Sequence, residues 1–235
     1  MQGNQIRKIV LEQSYKHHIG HIGSCLSVAD IVAEIYNIKQ PDDVFILSKG
    51  HAGLAQYAAM SLVGEINIDE FMVEYGVHQY RNEKIPFMTG SLGMGLSYGV
   101  GVALAKRIKK EKGRVFVLIS DAECNTGIVW EALFFLSQFE CSNLSIIIDN
   151  NKQQAFGYNV LNQDMFGLCM AINNVYDLNA IDGHDPIEIK ETIYNKITIA
   201  NTTFGYPISF MKNEIKWHYL PMTEEQYKQA MSEVE

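Results

Sequence analysis

Cysteine, proline and positive charge are all scarce in this chain. Its 235 residues include four cysteines (Cys25, Cys124, Cys141 and Cys169), none in a CxxC spacing. That argues against a structural zinc site or a disulfide framework and points to reduced thiols. Five prolines leave no Pro-rich linker, and no internal repeat or low-complexity stretch interrupts the chain. One domain over residues 1–235 is therefore the expectation. Lys and Arg number 19 against 27 Asp and Glu, a net charge of -8. This balance excludes nucleic acid as the general partner. The one basic cluster, Lys106-Arg107-Ile108-Lys109-Lys110, closes a predicted helix, where positive charge complements the helix dipole. No apolar run is long enough to span a bilayer, and Met1 to Lys8 lacks the features of a secretory signal. The expectation is a cytoplasmic protein with no membrane partner. H-E-x-x-H and G-x-S-x-G are absent too, so neither a zinc hydrolase nor a serine hydrolase is supported.

What the chain does contain is a pair of apolar segments that each run into an acidic or amide-rich loop. Val115-Phe116-Val117-Leu118-Ile119 leads into Ser120-Asp121-Ala122-Glu123, and Leu144-Ser145-Ile146-Ile147-Ile148 leads into Asp149-Asn150-Asn151-Lys152-Gln153. Between them Val129, Ala132, Leu133 and Leu136 recur at helical spacing. Strand, helix, strand with two near-continuous apolar strands predicts parallel neighbours buried on both faces. Their carboxyl ends then share one sheet edge, the usual ligand side of open α/β folds. Asp121 and Asn151 at that edge offer oxygen ligands to a hard divalent cation, or else simply cap strand ends.

Further strands are expected at Val44–Leu47, Asn179–Ile181 and Ile208–Met211. Helices are expected over Gln5–Tyr15, through Asp30–Tyr36, from Ala52 to Leu62, after Gly95, after Asp185-Pro186 and from Thr223. The stretch containing Asp69, Glu70, Glu74 and His78 reads as less regular. Gly95, Gly99 and Ala103, four apart, form a face that permits close approach by another backbone. The alternation predicts a mostly parallel sheet with helices on both faces.

Three of the seven histidines share one setting: Gly20-His21, Gly50-His51 and Gly183-His184. Glycine there lets backbone approach a ligand, and imidazole can donate to phosphate or exchange protons near neutral pH. His17 and His18 read as surface residues of the first helix, and Cys124 as a passive lining residue.

With Gly20-His21-Ile22-Gly23, Leu47-Ser48-Lys49-Gly50-His51, Thr89-Gly90-Ser91-Leu92-Gly93-Met94-Gly95, Trp130-Glu131-Ala132, Asp182-Gly183-His184-Asp185 and Lys216-Trp217-His218 in this order, the chain resembles the N-terminal, pyrophosphate-binding half of transketolase as found in split, two-subunit enzymes. The resemblance implies a three-layer α/β thiamine diphosphate-binding fold. The two opening loops look like that family's cofactor fingerprint, usually Gly-Asp-Gly followed downstream by Asn. Asp121, Asn151 and the Gln153 carbonyl would then bind Mg2+. The diphosphate would be held by the metal, the Ala122 N–H, His51 and His184, with Glu123 on the same loop. Gly90, Ser91 and Leu92 would touch the pyrimidine side. His21, His78 and His184 would line the channel above the reactive carbon and assist proton transfer on a sugar or sugar-phosphate substrate, the carbon–carbon chemistry being the cofactor's own.

Three departures from the family pattern stand out. Ser120 and Ala122 replace both glycines of Gly-Asp-Gly, Thr126 replaces a Glu implicated in contact between two cofactor sites, and residues 201–207 lack the usual lysines. These suggest an altered substrate, such as one used in modified-sugar biosynthesis. The resemblance further implies a partner, the C-terminal transketolase subunit carrying the pyrimidine-binding half, in an α2β2 heterotetramer that transfers a two-carbon ketol unit from a ketose to an aldose. Two other readings stay open: a non-catalytic scaffold or regulatory subunit with a degenerate cofactor site, and another thiamine enzyme such as a 2-oxoacid dehydrogenase component or a deoxyxylulose phosphate synthase.

Overall fold

The computed structural model describes residues 1–139, 141–159 and 178–234; Cys169 lies outside them. Five strands form its centre: β1 (Val44–Leu47), β2 (Val115–Ser120), β3 (Leu144–Asn150), β6 (Leu178–Asp182) and β7 (Ile197–Asn201). They make one parallel sheet in the order β1-β2-β3-β7-β6. Beyond β3, β4 (Gln153–Gln154) and β5 (Gly157–Tyr158) form a small antiparallel pair.

Period-two alternation divides the core in two. Phe116, Leu118 and Ile147 point into a cluster formed with helices α1 (Gly3–His17), α2 (Ile22–Ser27), α3 (Ala29–Ile38) and α4 (Gly53–Leu62). Val115, Val117, Ile119, Ile146 and Ile148 point the other way, into a cluster with α6 (Met94–Lys109) and α7 (Gly127–Gln138). Both faces of β2 and β3 are thus buried, which explains their unbroken apolar runs. The small face of α6 meets the sheet as expected. A Cβ on Gly99 would stand 2.3 Å from Val117, and one on Gly95 would stand 2.5 Å from Ser48. Among the described residues no helix is long and apolar enough to cross a membrane.

Two expectations are corrected. Ile208–Met211 is not a strand. It forms successive turns, with Ile208 N–H bonded to Gly205 O and Met211 N–H to Ile208 O. Its apolar character reflects packing around Trp217, whose indole donates to Phe210 O at 2.9 Å. The strand in this region is β7, where Ile197, Thr198 and Ile199 lie in register between β3 on one side and β6 on the other. The stretch before His78, read as irregular, contains a further helix, α5 (Ile68–Tyr75). Asn67 caps it by accepting from Asp69 N–H at 3.1 Å, Asp69 and Glu70 occupy its first turn, and Gly76 at φ 66 ends it.

The parallel register brings the strand ends level. Ser120 lies beside Asp149, Asp149 beside Ala200, and Asp182 beside Asn201. The loops after β1, β2, β3, β6 and β7 therefore open at one edge.

Candidate active site

Acidic side chains dominate the middle of that edge. Asp149 is fully buried at the end of β3 and forms an ion pair with equally buried Lys49, two residues past β1. It also accepts from Ser27 Oγ and Asn151 Nδ2, each at 2.9 Å, and from Thr202 Oγ1. Asp121, just past β2, is fully buried as well. Its Oδ1 accepts from Ala122 N–H and its Oδ2 from Lys152 N–H, both at 2.9 Å. Burial, and then the charge of Asp149, push the Asp121 carboxyl up to about 7. Among the described residues no cation forms an ion pair with it.

Asn151 stands on the neighbouring short loop, just past β3. Its Oδ1 accepts from Gln153 N–H at 2.9 Å, and the loop turns through Lys152 at φ 61. Gln153 Oε1 is buried without a partner. Among the described residues no group of three or more His, Cys, Asp or Glu side chains could hold a metal. A cation here would rest on the Asp121 carboxylate, the Asn151 amide oxygen and main-chain oxygen, with phosphate completing its shell. The uncompensated buried carboxylate and the all-oxygen donor set fit a hard divalent ion.

Other loop residues have internal roles. Glu123, expected among the cofactor-binding residues, is fully buried and accepts from Ser48 Oγ (2.5 Å), Gly93 N–H (2.9 Å), Ser120 N–H (2.8 Å) and Ser120 Oγ (3.2 Å). It ties the ends of β1 and β2 to the start of α6 and has no lone pair aimed at a ligand that these four donors do not already use. Ala122 adopts φ -62, ψ -36, so its Cβ is tolerated, and its N–H points to Asp121. The side chain of Ser120, the other departure, is absorbed into the Glu123 network. Cys124 is buried, and burial pushes its thiol well above the usual range. Gly90 (φ 139), Ser91 and half-exposed Leu92 form the rim before α6; a Cβ on Gly90 would stand 4.0 Å from the His78 ring.

The histidines converge. Ring centroids of His21 and His51 are 5.3 Å apart, and those of His21 and His78 are 5.8 Å apart. His218 joins them at 4.9 Å from His21 and 5.3 Å from His51. Burial, reinforced by His218 and His78, lowers His21 to about 4. Burial and then Lys49 hold His51 well below its ordinary value and also lower His218. These three rings are therefore neutral at pH 7, each with one donor and one acceptor nitrogen. His51 contacts Ser24 Oγ at 3.1 Å. Nδ1 of His21 and Nδ1 of His218 are buried without partners. His21 itself occupies the left-handed region at φ 61.

His184 does not join this group as expected. Its Nδ1 lies 2.9 Å from Asp30 Oδ2, and its Nε2 accepts from Thr203 N–H at 2.9 Å. The ring stacks on Tyr206 at 3.9 Å. Buried Arg7 pairs with Asp30 and donates to Tyr206 O at 3.2 Å. Burial would raise the Asp30 carboxyl, but hydrogen bonds from His184 and Arg7 outweigh it and the net shift is downward. Both His184 nitrogens are thus engaged within the protein. The ring pins the loop after β6 to the loop after β7.

The family model described as 1-deoxy-D-xylulose-5-phosphate synthase matches residues 2–180. The chain is 31% identical to the 6-deoxy-6-sulfo-D-fructose transketolase subunit of Clostridium sp. (strain MSTE9), over 100% of this chain and 95% of that one. The chain belongs to the transketolase family. It is also 32% identical to an apulose-4-phosphate transketolase subunit of Phocaeicola vulgatus, over 100% of this chain and 92% of that protein. The fold superposes on transketolase from Campylobacter jejuni with a TM-score of 0.88 at 23% identity, covering 99% of this chain and 42% of the longer one. This transketolase-like chain therefore spans about two-fifths of that solved transketolase. Among its site-edge residues, His218, Lys49 and Asp149 were not singled out from sequence. The Trp217-His218 and Ser48-Lys49-Gly50-His51 signatures contained two of them, but only folding shows that His218 reaches His21 and that Lys49 reaches Asp149.

Proposed function

We propose that this transketolase-family chain is the pyrophosphate-binding subunit, as one domain over residues 1–235, of a split thiamine diphosphate-dependent enzyme that moves a two-carbon ketol unit from a ketose to an aldose. The observation that supports this most is the buried Asp121 carboxylate, which no cation among the described residues pairs, hydrogen-bonded to Lys152 N–H of the neighbouring loop that carries Asn151 and lying at the same sheet edge as histidines with unpartnered nitrogens. In this reading Asp121, Asn151 and the Gln153 carbonyl hold Mg2+. His51 and the Ala122 N–H would hold the diphosphate. Gly90, Ser91 and Leu92 border the pyrimidine side. When bound, thiamine diphosphate supplies the carbon nucleophile and the electron sink.

The chain's own contribution is to bind, orient and shuttle protons. His21, His78 and His218 present imidazoles toward the sugar end, where a ring nitrogen can donate to a substrate oxygen or accept a hydroxyl proton. The lowered proton affinity of His21 and His218 keeps an acceptor nitrogen available on those two rings at pH 7. The Arg7–Asp30–His184 node holds the loop bearing Thr202 and Thr203 in place.

A C-terminal subunit with the pyrimidine-binding half is the required partner, in an α2β2 heterotetramer in the cytoplasm. Similarity along nearly the whole length of relatives named as transketolase subunits supports this. The sulfofructose and apulose phosphate named in those relatives support a modified sugar or sugar phosphate as substrate. Of the three departures behind the degenerate-scaffold alternative, Ser120 and Ala122 fit the loop without distorting it, which leaves Thr126 as its motivation. The test is co-expression with the partner, titration of thiamine diphosphate by calorimetry with and without Mg2+, and an assay of ketol transfer. Mg2+-dependent binding and transfer are expected. An intact assembly that binds no cofactor would leave the scaffold reading in its place.

A further inference from the structure

The amide of Asn151 sits between two partners of opposite character. On one side is Asp149, which accepts from Asn151 Nδ2 at 2.9 Å. Asp149 also takes the Lys49 ion pair and the hydroxyls of Ser27 and Thr202. Surrounded by these donors, the Asp149 oxygens serve as hydrogen-bond acceptors. On the other side is Gln153 N–H, which can only donate, 2.9 Å from Asn151 Oδ1. Only one orientation of the amide satisfies both neighbours, with nitrogen toward Asp149 and oxygen toward the 151–153 loop. That loop also carries Lys152 N–H, 2.9 Å from Asp121 Oδ2. Successive N–H groups of this loop thus hold an Asp121 oxygen and the Asn151 oxygen.

We propose that Asp149 is a positioning residue for the metal site, fixing the Asn151 amide so that its oxygen, not its nitrogen, meets the cation, while Lys49 compensates the charge of Asp149. This rests on the cofactor reading above. Without Lys49 the site would contain two buried carboxylates of uncompensated charge. With it, Asp149 is paired, Asp121 is left as the carboxylate facing the Asn151 loop, and Asp149 orients Asn151 without competing for the ion. The site is thus built for its metal before the metal arrives. Partners that orient ligating groups in this way are typically worth about 10–100-fold in metal affinity.

The test uses the full chain purified with its partner subunit, thiamine diphosphate, and Mn2+ in place of Mg2+, with bound Mn2+ counted by electron paramagnetic resonance. Asp149→Asn is expected to weaken Mn2+ binding about 10–100-fold. Lys49→Met with Asp149→Asn removes the unpaired buried ammonium and recovers at least half of the lost urea midpoint, yet binding stays weak. The exchange Asp149→Asn with Asn151→Asp restores binding, because a carboxylate presents oxygen in either orientation and the new amide at 149 donates to it. Unchanged Mn2+ affinity in Asp149→Asn, or no recovery in the exchange variant, would overturn the proposal and leave the cofactor reading standing. No Mn2+ on the unaltered assembly would overturn both.

Discussion

Replacing Lys49 by methionine tests whether the sheet edge is organised around a buried ion pair. The side chains of Lys49 and Asp149 are both 0% exposed. Methionine keeps most of the apolar stem and removes only the charge. Asp149 would keep its hydroxyl and amide donors from Ser27, Thr202 and Asn151 but lose its counter-ion, and it already raises the neighbouring Asp121 carboxyl. Removing one partner of a buried pair costs about 3–5 kcal/mol, because the other charge is left uncompensated. At about 2–4 °C per kcal/mol for a chain of this size, the melting temperature should fall by roughly 6–20 °C. Adding Asp149→Asn removes the stranded charge. The double variant should recover at least half of the loss, a coupling of about 2 kcal/mol or more. Urea unfolding of the four proteins of the cycle measures this directly. A loss below about 1 kcal/mol in Lys49→Met, within the range of an exposed pair, would refute the claim that this edge depends on charge compensation.

The histidine cluster should respond to pH and to substitution. Unfolded, His21 takes up a proton near 6.5, and folded only near 4. Between these values the unfolded state binds more protons, so stability falls as pH drops through that window and is fully present above it. Allowing for partial solvent exposure, the effect is about 1–2 kcal/mol. Urea midpoints at pH 7 and pH 4.5 should show it, and His21→Gln should flatten the difference. For His218→Asn, ketol transfer should fall about 100-fold or more, with little change in melting temperature because its Nδ1 has no internal partner; unchanged turnover would remove His218 from the site. Gly23→Ala would place a Cβ 2.2 Å from the ring of fully buried Phe204 and should cost about 1–3 kcal/mol by overpacking, read from urea unfolding. Ala122→Gly restores the family's glycine, yet Ala122 is in a right-handed conformation that needs none; no gain in calorimetric affinity for thiamine diphosphate is expected.

The sequence alone carried the parallel core, because β2 and β3 are buried on both faces and so read as unbroken apolar runs that loops and exposed helices cannot afford. It also marked the glycine-flanked histidines and the Asp121 and Asn151 loops, since these lie next to element ends whose chemistry is local. It misread Ile208–Met211 because an apolar run records burial, and burial in turns around Trp217 looks the same as burial in a strand. Only tertiary structure could decide the pairings. Lys49 meets Asp149 across 100 residues of chain, and His184 meets Asp30 across 154. Nothing in the local pattern distinguishes His184, whose nitrogens are both engaged, from His21, whose Nδ1 is not. Which polar atoms are satisfied within the protein and which remain for a ligand depends on the packing of distant segments, and that was set when the strand ends came level at one edge of the sheet.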